Sequence, residues 1–321
     1  MNAIRSILAM AVLAAAPPVF GQEIAELQSA VVVPESVVPA SGVFTLQDAQ
    51  GYAHESEVFT LSEAGFFFGV GGSYNSIKVK QDLEATADSE VSVTQLLVAT
   101  GTAGGSLGSF DETESSFAPT LQLGYFSAPS YSDWAWGAKG SYRYLGTTLT
   151  NRFLSTQPTE LTSTGNAGAD TFAGHIGINA VRTEVNHEFA LIPFLGHAFD
   201  RGRFYVGAGP VAIQTQTLID QAFSYASVNG TPQYSIGSAT DFSDTDWLWG
   251  GIGQIGLIYY IEPWWSIDLS YDCAVTGKAS NSETAPFISA TSDYVDTGTL
   301  TVDSSHRVVA QSFMISLQID F

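Results

Sequence analysis

The carboxy-terminal stretch FMISLQIDF puts Phe313, Ile315, Leu317, Ile319 and Phe321 at every second position, with Met314, Ser316, Gln318 and Asp320 between them. Successive side chains of a strand point to opposite faces, so this segment predicts a strand with one apolar and one largely polar face. The same period recurs upstream. In GFFFGVGGSYNSIKV, Phe66, Phe68, Val70 and Tyr74 alternate with Gly69, Gly71, Ser73 and Asn75. In WAWGAKGSYRYLG, Trp134, Trp136, Tyr142 and Tyr144 share one face while Lys139, Ser141 and Arg143 share the other. In WSIDLSYDCAV, Trp265, Ile267, Leu269 and Tyr271 alternate with Ser266, Asp268, Ser270 and Asp272. Adding Phe117 to Phe126, the hairpin around Asp200-Arg201-Gly202 and WLWGGIGQIGLIYYI gives eight predicted strands: 65–79, 117–126, 134–146, 186–199, 203–217, 246–261, 265–277 and 306–321. Both parities are apolar in the Asp200 hairpin, which leaves its faces unassigned.

The connections alternate in length. Short ones fall at 127–133, 200–202 and 262–264, and the long intervening segments are rich in Ser, Thr, Gly and acids. This predicts an up-and-down arrangement with three tight turns at one end and four long loops at the other, the asymmetry of outer-membrane barrels. Ten strands result instead if Thr171 to Val181 (TFAGHIGINAV) and a partner join the wall.

Composition and charge narrow the class. The first residues carry Arg5, then the apolar run ILAMAVLAAA and a break at Pro17-Pro18, the pattern of a secretory signal peptide ending at Gly21. Residues 22–62 hold short apolar clusters broken by Pro34 and Pro39, and predict a mostly unstructured periplasmic leader ahead of a barrel over 63–321. No later run approaches the roughly 20 apolar residues of a spanning helix. Yet the chain is 45% hydrophobic and only 13% charged, with 31 glycines. A membrane protein without spanning helices must be a closed barrel, because nothing else satisfies its backbone groups in lipid. The fold expected is therefore all-β, a closed antiparallel transmembrane barrel. A formal net charge of −21 argues against nucleic acid as a partner. The single cysteine, Cys273, gives no disulfide framework.

The terminal strand resembles the final strand of bacterial outer-membrane β-barrels, and the chain from about 65 to 321 resembles the OmpA-type and OmpX-type families of eight-stranded surface barrels. That resemblance implies location in the cell outer membrane of a Gram-negative bacterium and recognition of Phe313, Ile315, Leu317, Ile319 and Phe321 by the barrel-assembly machinery. The OmpA architecture also has a peptidoglycan-binding domain after its barrel, and a departure from that architecture is expected here.

Motifs with catalytic or cofactor spacing are weaker than their surroundings. Gly251 to Gly256 spells G-x-G-x-x-G, but it sits between aromatic flanks and a strand-like continuation where a dinucleotide site needs a helix. Gly104-Gly105-Ser106-Leu107-Gly108 fits a nucleophile elbow and is followed by a polar run. The five histidines form no close ligand pair, and Asp241, Asp244 and Asp246 read as a solvated acidic rim. No cofactor, metal or enzymatic activity is expected. Lys139, Arg143, Asp268 and Asp272 stand as isolated charges on otherwise apolar strands. At membrane depth a lipid-facing charge costs about 2–4 kcal/mol, so all four are expected inside the lumen, paired across it. The functional expectation is a surface or structural membrane protein whose acidic outer loops can meet an extracellular partner. A narrow diffusion channel is the alternative, and an outer-membrane enzyme the third reading.

Overall fold

The computed structural model describes residues 64–129, 132–233 and 239–321. The expected signal peptide and the leader over 22–62 lie outside the described residues. Among the described residues there are eleven strands: β1 (Ala64–Val93), β2 (Leu96–Ser127), β3 (Trp134–Ser155), β4 (Thr159–Ser163), β5 (Phe172–Phe199), β6 (Gly202–Val228), β7 (Thr231–Pro232), β8 (Thr240–Glu262), β9 (Trp265–Thr276), β10 (Ala279–Ala290) and β11 (Val295–Asp320). The eight long positions form one antiparallel up-and-down ring, β1-β2-β3-β5-β6-β8-β9-β11, which closes where β11 pairs back onto β1 from Phe67↔Asp320 to Ser92↔Val295. The wall has eight strands, not ten. Thr171 to Val181 contributes no extra wall position, because residues 172 onward are the upper part of β5 itself.

One end of the ring carries a continuous belt of exposed apolar side chains. It includes Phe66 and Val70 on β1, Leu121 and Leu123 on β2, Trp134 and Trp136 on β3, Leu191 and Leu195 on β5, and Phe204 and Val206 on β6. Ile255 and Trp249 on β8 and Phe313, Ile315 and Leu317 on β11 also belong to it. On β1 the exposed apolar positions run from Phe66 to Tyr74, close to the length that crosses a hydrocarbon core. Among the described residues no helix is long and apolar enough to cross a membrane.

The strands do not end at the belt. β1 has 30 residues and β2 has 32, about three times what the membrane requires. This corrects the expected long loops. Residues 80–116 form a hairpin closed by Thr94 and Gln95, both at positive φ as a two-residue I′ turn demands. Residues 218–228 extend β6, and residues 278–305 are mostly β10 and β11. The alternation was present in LEATADSEV, where Leu83, Ala85, Ala87 and Val91 point inward and Glu84, Thr86, Asp88 and Glu90 outward. Small inward residues and acidic outward ones made it read as loop.

Above the belt the ring opens along two seams. Pairing of β2 with β3 stops at Thr120↔Arg143, and pairing of β8 with β9 stops at Gly250↔Thr276. Beyond β9, the wall position is taken by β10, which pairs with β11 alone. The extension is thus two facing sheets, β10-β11-β1-β2 and β3-β5-β6-β8, with β4 tying β2 to β5 near the top. Apolar side chains fill the space between them, as in a sandwich: Leu83, Ile176, Ile178, Ile219, Phe242 and Leu300 in one layer, and Val91, Val98, Leu161, Phe172 and Val228 above.

Candidate functional site: the filled lumen

Within the belt, alternation sends one residue of every two into the lumen, and a narrow ring brings residues from opposite strands into contact. Lys139 and Arg143 on β3 are inward and almost fully buried, as are Asp268 and Asp272 on β9, across the barrel. Lys139 Nζ lies 3.0 Å from Asp268 Oδ2. Arg143 uses Nη1 and Nη2 on the two Asp272 oxygens at 3.2 and 2.9 Å, a bidentate fork. The heights match because each strand carries its charges four residues apart.

The structure adds groups that the sequence reading left out. Glu188, directly opposite Arg143 in the β3–β5 register, also binds its guanidinium. Tyr205 on β6 accepts a hydrogen bond from Lys139 Nζ at 2.7 Å and donates one to Asp268 Oδ1 at 2.8 Å. Its ring also lies beneath the Lys139 ammonium, 4.6 Å from ring centre to nitrogen. Gln318 Nε2 donates to Asp268 and to Gln122, extending the network to β11 and β2. This network thus joins two cations and three carboxylates in a lumen where burying an isolated charge is costly. Glu188 carried the same signal as the aspartates, a lone acid on an apolar strand, but both parities of its strand are apolar.

Below the charges, Phe67, Phe126, Phe194, Tyr205, Ile258 and Tyr260 close the end nearest the short turns. Glycines make room for several of their rings. A Cβ on Gly124 would run into the Phe67 ring, and one on Gly256 into the Tyr205 ring. Arg203 is buried in this floor with its guanidinium 4.5 Å from the Phe126 ring centre, and none of its nitrogens meets a protein acceptor. The space among Phe67, Lys139, Phe194, Tyr205, Ile258 and Gln318 has no room for a water molecule. Above the charges, Ile77, Leu145, Leu149 and Val308 belong to one apolar cluster, and beyond it Thr215 and His306 Nε2 stand 2.8 Å apart. Burial pulls the His306 imidazole below its usual pKa, against the opposing pull of Asp246 and Asp244.

Phe313, Ile315, Leu317 and Phe321 are exposed on the outer face of β11, with Ile319 partly so, and the Phe321 N–H donates to Phe66 O at 2.8 Å. The G-x-G-x-x-G lies inside β8 and the Gly104–Gly108 elbow inside β2, with no helix after either. His175 stands 2.9 Å from Ser227 and His306 2.8 Å from Thr215, and both hydroxyl-bearing residues are buried. Among the described residues, no three His, Cys, Asp or Glu side chains stand together at metal-chelating spacing.

No family model matches the sequence, and no curated protein matches it. Solved structures similar to the chain include Ail, the attachment invasion locus protein of Yersinia pestis, at 13% identity over 74% of this chain and 98% of that one, with a TM-score of 0.25. OprG of Pseudomonas aeruginosa, an outer membrane protein, is similar at 11% identity over 82% and 99%, with a TM-score of 0.34. Neisserial surface protein A is similar at 12% identity over 76% and 97%, with a TM-score of 0.25.

Proposed function

We propose that the chain is an outer-membrane β-barrel protein with a surface or structural role, anchored by a sealed barrel and acting through the tall two-sheet extension outside the cell. The observation that carries this reading is the lumen, which is filled at every level by side chains from facing strands. A water channel needs a wider ring, since eight strands leave an interior that side chains occupy. The belt of exposed aromatics and aliphatics supports a lipid setting, and its position at the short-turn end supports an orientation with those turns in the periplasm. The exposed terminal strand supports handling by the barrel-assembly machinery.

The extension supplies the surface for a partner. Its β1 face presents Asp82, Glu84, Asp88 and Glu90 outward, beside Asp303 of β11, so a partner carrying basic groups is favoured. A non-enzymatic role is supported by the burial of Ser227 and Thr215, the hydroxyls that meet histidines. In a Cys273→Ser background, Ser109→Cys and Ser292→Cys should react with an impermeant thiol reagent on intact cells, and Asp200→Cys only after lysis. The reverse pattern would invert the orientation and remove the surface role.

A further inference from the structure

Along the second seam, where β8 and β10 face each other without backbone pairing, a small cavity of about 10 Å³ remains between the two sheets. That is the space of one water-sized species, too small for an organic ligand. Its inner wall is apolar, formed by Ile219, Phe242 and Val302, and its polar lining comes from four strands: Thr217 of β6, Asp244 of β8, Asn281 and Glu283 of β10, and Ser304 of β11. The alternation of β8 and β10 turns Asp244, Asp246, Asn281 and Glu283 toward this space.

The charges here are one-sided. Among the described residues no lysine or arginine pairs with Asp244, Asp246 or Glu283; Lys278, at the start of β10, instead reaches Asp82 on the outer face. A second, independent feature lies deeper. Thr217 is about nineteen-twentieths buried, lines the cavity, and its hydroxyl meets no protein partner. Asn281 gives its Nδ2 to Asp246, which leaves its carbonyl oxygen to accept from or coordinate something else.

We propose that this seam is a calcium-binding site, with Asp244 and Glu283 as charged ligands and Asn281 Oδ1, Thr217 Oγ1 and Ser304 Oγ as neutral ones. Asp246 holds Asn281 in place. The ligand set is all oxygen, mixed in charge and drawn from four strands, the kind a hard divalent cation of flexible coordination takes and a soft metal does not. Magnesium fits less well, because it demands near-ideal octahedral geometry and keeps much of its water. Only two carboxylates are first ligands, which is why no cluster of three stands out. A cation there ties β8 to β10, two strands that share no backbone pairing, above the height where β8 stops pairing with β9. Asp241 takes no part; it faces outward and accepts the Gln221 N–H.

The test uses the full chain in detergent micelles, stripped with chelator and titrated with calcium chloride in a calorimeter, with thermal unfolding followed in parallel. One saturable equivalent and a raised unfolding temperature are expected. Asp244→Asn with Glu283→Gln should abolish both, and Thr217→Val should weaken binding by about tenfold or more while leaving the calcium-free unfolding temperature unchanged. Glu84→Gln with Asp303→Asn, on the exposed acidic face, should leave binding intact. The proposal is overturned if calcium neither binds nor stabilises, if the Asp244/Glu283 variant responds like the parent, or if only the exposed-face variant loses the response.

Discussion

Arg143 and Asp272 meet across the full width of the barrel, two guanidinium nitrogens on two carboxylate oxygens, with Glu188 on the flank of the same guanidinium. The pair joins β3 to β9, opposite positions of the ring, so it acts as a brace across the lumen. Truncating one partner leaves the other charge buried and uncompensated, which typically costs about 3–5 kcal/mol. Arg143→Ala should destabilise the barrel by that order in urea unfolding from lipid vesicles. Asp272→Asn on top of it should recover part of the loss, and strictly additive effects would contradict the pairing.

Tyr205 is the hinge of the other pair, accepting from Lys139 and donating to Asp268. Tyr205→Phe keeps the ring in the aromatic floor and removes only the hydroxyl, leaving Asp268 short of a donor. A loss of about 1–3 kcal/mol is expected by the same unfolding measurement. Tyr142→Phe, whose hydroxyl meets the half-buried His187 on the outside of the wall, should cost less.

The floor makes its own prediction through Gly256. An alanine there drives its methyl into the Tyr205 ring, while Gly253 on the same strand faces open space. Gly256→Ala should therefore destabilise by about 1–3 kcal/mol, and Gly253→Ala should be near neutral or favourable. Equal effects at the two positions would mean that the rings are not packed as described.

The lumen pairing was readable in the sequence because Lys139, Arg143, Asp268 and Asp272 are lone charges on strands whose other face is plainly apolar. Glu188 and Tyr205 were not, because their strands are apolar on both faces: Ile192 and Phe194 fill the lumen while Leu191 and Leu195 face outward. The extension was missed for a different reason. Its inward positions are Ala85, Ala87 and Ser89, small enough for two sheets to pack closely, and its outward ones are acids and threonines. Such strands carry the right period with too little hydrophobic contrast to stand out from loop. The seams cannot be read from sequence at all, since they depend on which strands stop pairing and at what height.

Asp296 sits between the sheets of the extension, opposite Val91 in the register, with neither carboxylate oxygen hydrogen-bonded in good geometry. Burial pushes its carboxyl from 3.8 up to about 7, with the neighbouring Ser89 hydroxyl acting in the opposite direction. Between those values the folded protein holds a proton that the unfolded chain has lost. Stability from this group is therefore present at low pH and declines as pH rises, by up to about 4 kcal/mol across the window from about pH 4 to pH 7. Asp296→Asn should flatten that part of the stability–pH profile of the extension. An unchanged slope would show that Asp296 ionises freely in the fold.

The central claim is that the lumen is sealed, and single-channel recording on the refolded protein in planar bilayers tests it most directly. The intact barrel should give no steady conductance, and Arg143→Ala or Lys139→Ala should introduce only small, flickering openings through the weakened layer. A large, stable conductance from the unsubstituted protein would contradict the account and identify a diffusion channel instead.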